Sequence, residues 1–259
     1  MKKAVSRIYI AIVFGFLYIP IVVLIVNSFN SSKSRTVWTG FTTGWYVKLF
    51  HNEVIISSFV NTLIVAAAAS ICSTLIGTVA AIAIFKMRKS MRSLTINISY
   101  LPIINPEIVT GVSLMLLFVT LGIPSGYLTL ILAHISFCIP YVILSVLPKL
   151  RQMNIQVYEA ALDLGCNPSM AFRKVVIPEI MPGILTGFLM SLTYSVDDFI
   201  VSYFTNGNVQ TLSITIESMT RRKISPEINA LSAIIFVVVL TVLLIMNLRD
   251  AHVRKAGAK

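Results

Sequence analysis

Apolar residues run through this chain in long uninterrupted blocks, and charged positions fall in short clusters between them. Residues 8–32, 54–85, 108–148 and 228–248 contain no Asp, Glu, Lys or Arg. An α-helix rises ~1.5 Å per residue, so roughly 20 apolar residues cross the hydrocarbon core of a bilayer. The block 108–148 is long enough for two crossings, and Leu121-Gly122-Ile123-Pro124-Ser125-Gly126 supplies the turn between them. The pattern predicts six transmembrane helices over Ile8–Val26, Ser57–Phe85, Leu94–Phe118, Tyr127–Leu147, Ile184–Phe204 and Ile228–Leu248. The predicted fold class is all-α and polytopic, with one membrane domain spanning 1–259.

An even number of crossings puts both termini on one side, and the basic residues say which. Lys2, Lys3, Arg7, Lys86, Arg88, Lys89, Arg92, Lys149, Arg151, Arg173, Lys174, Arg249, Arg254, Lys255 and Lys259 fall on one side. Only Lys33, Arg35, Lys48, Arg221, Arg222 and Lys223 fall on the other. Positive loops stay cytoplasmic, so both termini are expected in the cytoplasm.

Composition agrees with the pattern. Of 259 residues, 56% are hydrophobic and 12% charged, about half the charged share of a soluble domain. The net charge of +11 is explained by orientation and anionic headgroups, so nucleic acid is not an expected partner but membrane lipid is. Cys72, Cys138 and Cys166 are odd in number and lie in spans or the cytoplasmic connection, which argues against disulfides. The first apolar stretch is too long for a signal h-region and no A-x-A site follows, so no cleaved signal is expected.

The connection 149–182 is the longest on the cytoplasmic side. Val157–Leu164 reads as a short helix stopped by Gly165. Asn167-Pro168 reads as an N-cap followed by proline at the first helical position, opening a second short helix through about Val175. Pro178 and Pro182 are expected to end that helix before the next crossing. Two short helices joined by a glycine bend suit either a docking element or a plain connector. No glycine precedes a lysine, so the phosphate-cradling G-x-x-x-x-G-K-[ST] loop is absent and any ATP hydrolysis belongs to another polypeptide.

Glu159-Ala160-Ala161, three residues, Gly165, nine residues, then Val175 and Ile177-Pro178 resembles the cytoplasmic signature of bacterial ATP-binding cassette import permeases. Val175 and Ile177 depart conservatively from that family's isoleucine and leucine. The resemblance implies a type I importer permease fold, with Glu159, Ala160, Ala161, Gly165, Ile177 and Pro178 serving the coupling to an ATPase subunit. Tyr18-Ile19-Pro20-Ile21, Asn27-Ser28-Phe29-Asn30, Gly40-Phe41-Thr42-Thr43-Gly44-Trp45-Tyr46, Pro106-Glu107-Ile108-Val109, Ser195-Val196-Asp197-Asp198 and Ser225-Pro226-Glu227-Ile228-Asn229-Ala230-Leu231 are similar to the spermidine/putrescine permeases. That narrower resemblance implies a multi-pass subunit of a bacterial inner (cytoplasmic) membrane, paired with a second permease, an ATPase dimer and an external polyamine-binding protein. Transport is then by alternating access, with ATP and Mg on the partner ATPase and no cofactor on this chain.

The residues themselves also speak to substrate class. An acid at mid-membrane costs about 2.5–3.5 kcal/mol on insertion scales, so such residues face a polar cavity or a partner. Glu107, Asp197 and Asp198 are the candidates. Ser191, Ser195, Asp198 and Ser202 share one stripe of a continuous fifth helix, with Tyr194 at its edge. Asp198 is therefore the expected path-lining acid, and Asp197, about 100° away, is expected at an interface. Glu107 follows Pro106, with Pro102 one turn earlier, and lies about 20 Å along a straight helix from Ser93. The competing reading of these acids is ion pairing, which would need another subunit because no Lys or Arg lies inside a span.

His134 reads first as a hydrogen-bonded packing histidine and second as a substrate contact. Tyr100, Tyr141 and Tyr194 could offer cation–π faces or simply pack. No His/Cys/Asp set has metal-ligand spacing, and no nucleophile–base pair suggests an intramembrane enzyme. The open alternatives are an importer for another cation, an anion or a metal complex, or a self-contained secondary transporter.

Overall fold

The computed structural model describes residues 2–32, 37–222, 226–238 and 240–241. The expected last span is therefore described only in part, as a helix over Pro226–Val238. The basic residues of the C-terminal tail lie outside the described residues.

Among the described residues the chain is helical, with no strand beyond an isolated bridge between Asn30 and Phe41. In order the helices are α1 (Lys2–Ser28), α2 (Gly44–Phe50), α3 (Glu53–Lys86), α4 (Lys89–Ile104), α5 (Glu107–Thr120) and α6 (Tyr127–Gln152). There follow α7 (Ile155–Asp163), α8 (Pro168–Ala171), a π-helical turn (Phe172–Val176), α9 (Ile177–Asp197), α10 (Ile200–Thr205), α11 (Leu212–Arg222) and α12 (Pro226–Val238). Four helical segments, Tyr9–Ser28, Glu53–Lys86, Tyr127–Gln152 and Pro168–Asp197, are long and apolar enough to cross a bilayer, and α4 with α5 makes a fifth, bent candidate.

Two compact units emerge, Ser57–Thr215 and the described residues of Met1–Ile56 with Ile216–Lys259. In the latter, the stretch after α1 is organised by Asn30. Its Oδ1 accepts from the Ser32 and Thr39 amides, its Nδ2 donates to the Val37 carbonyl, and its own carbonyl accepts from Trp45 Nε1 at 2.7 Å. Tyr46 closes the turn through a 2.6 Å hydroxyl contact with Ser28.

The central unit is built on α6. Its Val142 lies between glycines of two neighbours: a Cβ at Gly77 of α3 would come within 2.6 Å of the Val142 Cβ, and one at Gly187 of α9 within 3.1 Å of its Cα. Without a side chain at 77 or 187 the backbones approach closely, the mode by which membrane helices associate when lipid removes the hydrophobic drive. Ala81, Ile84, Val146, Leu150, Val176 and Ile180 extend this core. Leu75, Val79, Leu185 and Leu189 remain exposed, as lipid-facing positions are.

Two expected spans are not continuous. The third is broken after Ile104, and α4 and α5 are bent by 100°. Asn105 is extended at φ −65°, ψ 140°, because a residue preceding proline is driven out of the helical region. The straight-helix depth of Glu107 therefore does not hold. The fifth span ends at Asp197 and resumes at Ile200, with Asp198 extended at φ −61°, ψ 124°.

The connection 149–182 departs in the opposite sense. Gly165 turns at φ +89°, and Asn167 caps α8 by accepting from the Met170 amide at 2.8 Å. The helix so opened does not stop at Pro178 or Pro182 but runs into α9. The π turn accounts for this: the Ile177 amide bonds to the Phe172 carbonyl, one residue further back than in an α-helix. This widening leaves room for the Pro178 ring, which would otherwise meet the carbonyl four residues earlier.

Candidate functional site

The two helix breaks meet at one cavity of about 310 Å³ in the central unit. Its wall brings together Glu107 and Pro102 from the first break, Asp197, Asp198 and Tyr194 from the second, and Tyr141 and Phe137 from α6. The halves beyond the breaks pack directly on each other. Gly111 of α5 lies where a Cβ would be 2.9 Å from the Phe204 ring and 3.3 Å from the Val201 Cα of α10.

The three acids differ in what holds them. Glu107 opens α5, where a negative charge offsets the positive end of the helix. Asp198 accepts from the Ser202 amide at 2.7 Å and the Val201 amide at 3.3 Å, so its carboxylate covers amides that a helix start leaves unpaired. Asp197 is the last residue of α9, at the negative end of that helix, and is exposed. Among the described residues no hydrogen bond or ion pair reaches the carboxylates of Asp197 or Glu107. No Lys or Arg lines the cavity. Two acids thus offset two positive helix ends, while Asp197 adds its charge to a negative one.

The serines of the expected stripe are placed elsewhere. Ser191, Ser195 and Ser202 are buried and none lines the cavity, because α9 and α10 turn these positions toward α6. Ser195 and Ser202 instead flank His134, at 2.7 Å from Nδ1 and 2.9 Å from Nε2. His134 Nε2 also lies 3.6 Å from Asp198 Oδ2. Conversely Asp197, expected at an interface, lines the cavity together with Asp198. Tyr141 and Tyr194 stack with ring centroids 4.2 Å apart. Tyr100 is exposed on α4 and is not part of the wall.

The cavity combines unpaired carboxylate with aromatic faces, the donor set that holds organic ammonium groups. Among the described residues no group of His, Cys, Asp and Glu is arranged to hold a metal ion. On the connection 149–182, Glu159, Ala160 and Gly165 are exposed, as are the apolar side chains Val157, Leu164 and Met170.

Comparison with known proteins gives a consistent picture. The family model for the binding-protein-dependent transport system inner membrane component matches residues 73–257. The chain is 36% identical over 241 residues to the spermidine/putrescine transport system permease protein PotC of Escherichia coli strain K12, covering 93% of this chain and 91% of that one. It is 38% identical over 231 residues to the putrescine transport system permease protein PotI of the same strain, covering 86% and 82%. Among solved structures, a bacterial ABC transporter involved in the import of the acidic polysaccharide alginate has a chain that superposes with a TM-score of 0.72 at 15% identity, covering 96% of this chain and 95% of that one. At that identity the likeness speaks to fold alone.

Proposed function

The chain belongs to the family of binding-protein-dependent transport system inner membrane components, and from that premise we propose that it is a permease subunit of an ATP-driven polyamine importer. The observation that carries the substrate class is the cavity at the two breaks: Glu107, Asp197 and Asp198 with the Tyr141–Tyr194 stack and no basic residue in the wall. Putrescine and spermidine are flexible chains ending in ammonium groups, so separated acids and aromatic faces match them. An ion pair at ~4 Å contributes about 4 kcal/mol at an effective dielectric near 20, enough to favour cations over neutral molecules and still allow release. An anionic substrate would meet repulsion here.

On this reading a second permease completes the path, and both termini face the cytoplasm. An external binding protein delivers the amine, and an ATPase dimer carrying ATP and Mg supplies the drive. Glu159, Ala160, Ala161 and Gly165 present the surface that the ATPase grips. Ile177 and Pro178 follow the π turn, so motion of α8 passes into α9 without an intervening loop. Asp197 and Glu107 meet the substrate, Tyr194 and Tyr141 offer ring faces, and Asp198 shapes the break. Ser191, Ser195 and Ser202 support that arrangement from behind.

Affinity purification of the tagged chain from membranes that also express its companion subunits tests the assembly. Recovery of a second permease and an ATPase in fixed proportion is expected. A chain that purifies alone and transports amines without them would overturn the proposal.

A further inference from the structure

We infer that His134 is a positioning residue for the cavity: bonded to Ser195 before the second break and to Ser202 after it, it sets how α10 leaves α9 and hence where the Asp197 and Asp198 carboxylates stand. Its transport consequence rests on the polyamine reading; its geometry does not.

The local device at this break is the Asp198 cap on the Val201 and Ser202 amides. The stretch from Tyr194 to Ser202 contains neither proline nor glycine, and both flanks are helical. Ser195 of α9, Asp198 at the break, Ser202 of α10 and His134 of α6 share its polar contacts. The Ser202 hydroxyl lies 3.2 Å from the Asp198 carbonyl, to which it can donate. With its proton there, the tautomer that fits donates from Nε2 to Ser202 and accepts at Nδ1 from Ser195. One directed chain of hydrogen bonds runs from Ser195 through His134 and Ser202 to Asp198. It crosses the break by way of α6.

The anchor is firm. His134 is fully buried, and so are Leu130, Ala133 and Cys138 around it on α6. A buried imidazole needs a partner for each ring nitrogen, and here the two partners lie on opposite sides of an interruption in the backbone. The chain of bonds, together with the capping bonds of Asp198, occupies the polar side chains at the break except Asp197. Asp197 thus presents an unpaired carboxylate to the cavity, beside the capping carboxylate of Asp198.

The test uses the assembled importer with Cys72, Cys138 and Cys166 replaced, and spin labels on cysteines introduced at the exposed positions Thr193 and Tyr203. Pulsed electron paramagnetic resonance should give one narrow distance distribution in the parent and a broadened or shifted one in His134→Ala. In the unlabelled complex, the spermidine-to-putrescine uptake ratio should shift about threefold or more, the scale of a net hydrogen bond, with the amount of assembled complex retained. A purely structural role would lower uptake of both amines together. Ser202→Ala should reproduce the shift and add nothing to His134→Ala, since the two act in one network.

An unchanged distance distribution, or an unchanged ratio, in assembled His134→Ala overturns the inference. If that variant does not assemble, Ser195→Ala, which removes one bond, and Ser202→Ala, which removes two, decide by the same two readings. A parent that moves neither amine defeats the polyamine reading, and the distance measurement still decides the role of His134.

Discussion

Exchanging each of the adjacent aspartates for asparagine should separate substrate contact from local architecture. Asp197→Asn keeps size and shape and removes a charge that no described residue pairs with. It disturbs no hydrogen bond seen in the structure. If an ammonium passes at ~4 Å, the gross attraction lost is about 4 kcal/mol at a dielectric near 20. After desolvation the net loss should be about 1.5–3 kcal/mol, as for hydrogen bonds to charged groups, or roughly ten- to a hundredfold in transport. Asp198→Asn acts differently, because this carboxylate bonds to the amides of Val201 and Ser202. One amide oxygen cannot replace both contacts, so part of a cap worth about 0.5–2 kcal/mol is lost. The expected result is less assembled complex and a smaller fall in rate per complex. Initial-rate uptake of labelled putrescine, divided by the amount of co-purified companion permease, measures both. Wild-type uptake per complex in Asp197→Asn, or a larger per-complex loss in Asp198→Asn, would refute the division of roles.

Three further substitutions bear on packing, coupling and aromatic recognition. Gly77→Ala sets a methyl group 2.6 Å from the Val142 Cβ, so overpacking should cost about 1–3 kcal/mol, with partial rescue by Val142→Ala in a detergent thermal-stability assay. Gly165→Asp forces a side chain to φ +89° at an exposed turn; uptake should fall severely while the chain still inserts, as read by uptake and membrane fractionation. Tyr194→Leu should weaken polyamine transport by about 0.5–2 kcal/mol, or two- to thirtyfold, while Tyr194→Phe stays near wild type in the same uptake assay.

Much of the architecture was legible because bilayer crossing imposes length and polarity on a segment. The charge-free blocks marked α1, α3, α5 and α6, an apolar run interrupted by its acids marked α9, and Gly122 to Gly126 marked the turn before α6. The cap at Asn167 and the bend at Gly165 also followed from local chemistry. The first break could be anticipated at Pro102 and Asn105-Pro106, though not its angle, which depends on what α5 packs against. The second break had a weaker signal. A helix normally ends in the sequence at proline or glycine, and here it ends at Asp198, whose side chain caps the next helix. A continuous helix therefore placed the serines on a cavity-facing stripe, when the partner of Ser195 and Ser202 is His134, 61 and 68 residues away. Pro178 and Pro182 read as stops because a proline is costly in an α-helix; the π turn that accommodates Pro178 leaves no mark in the hydropathy pattern. The cavity itself joins residues from five helices, and only the acids announced it.

The central proposal is that this chain moves polyamines only as part of an ATP-driven assembly. Proteoliposomes containing the chain with its companion permease and ATPase, supplied with the binding protein outside and ATP within, test it most directly. Labelled putrescine should accumulate against its gradient when ATP is present, and neither the chain alone nor the assembly without ATP should accumulate it. Accumulation by the chain alone, or a fully assembled complex that hydrolyses ATP yet accumulates no polyamine, would contradict it.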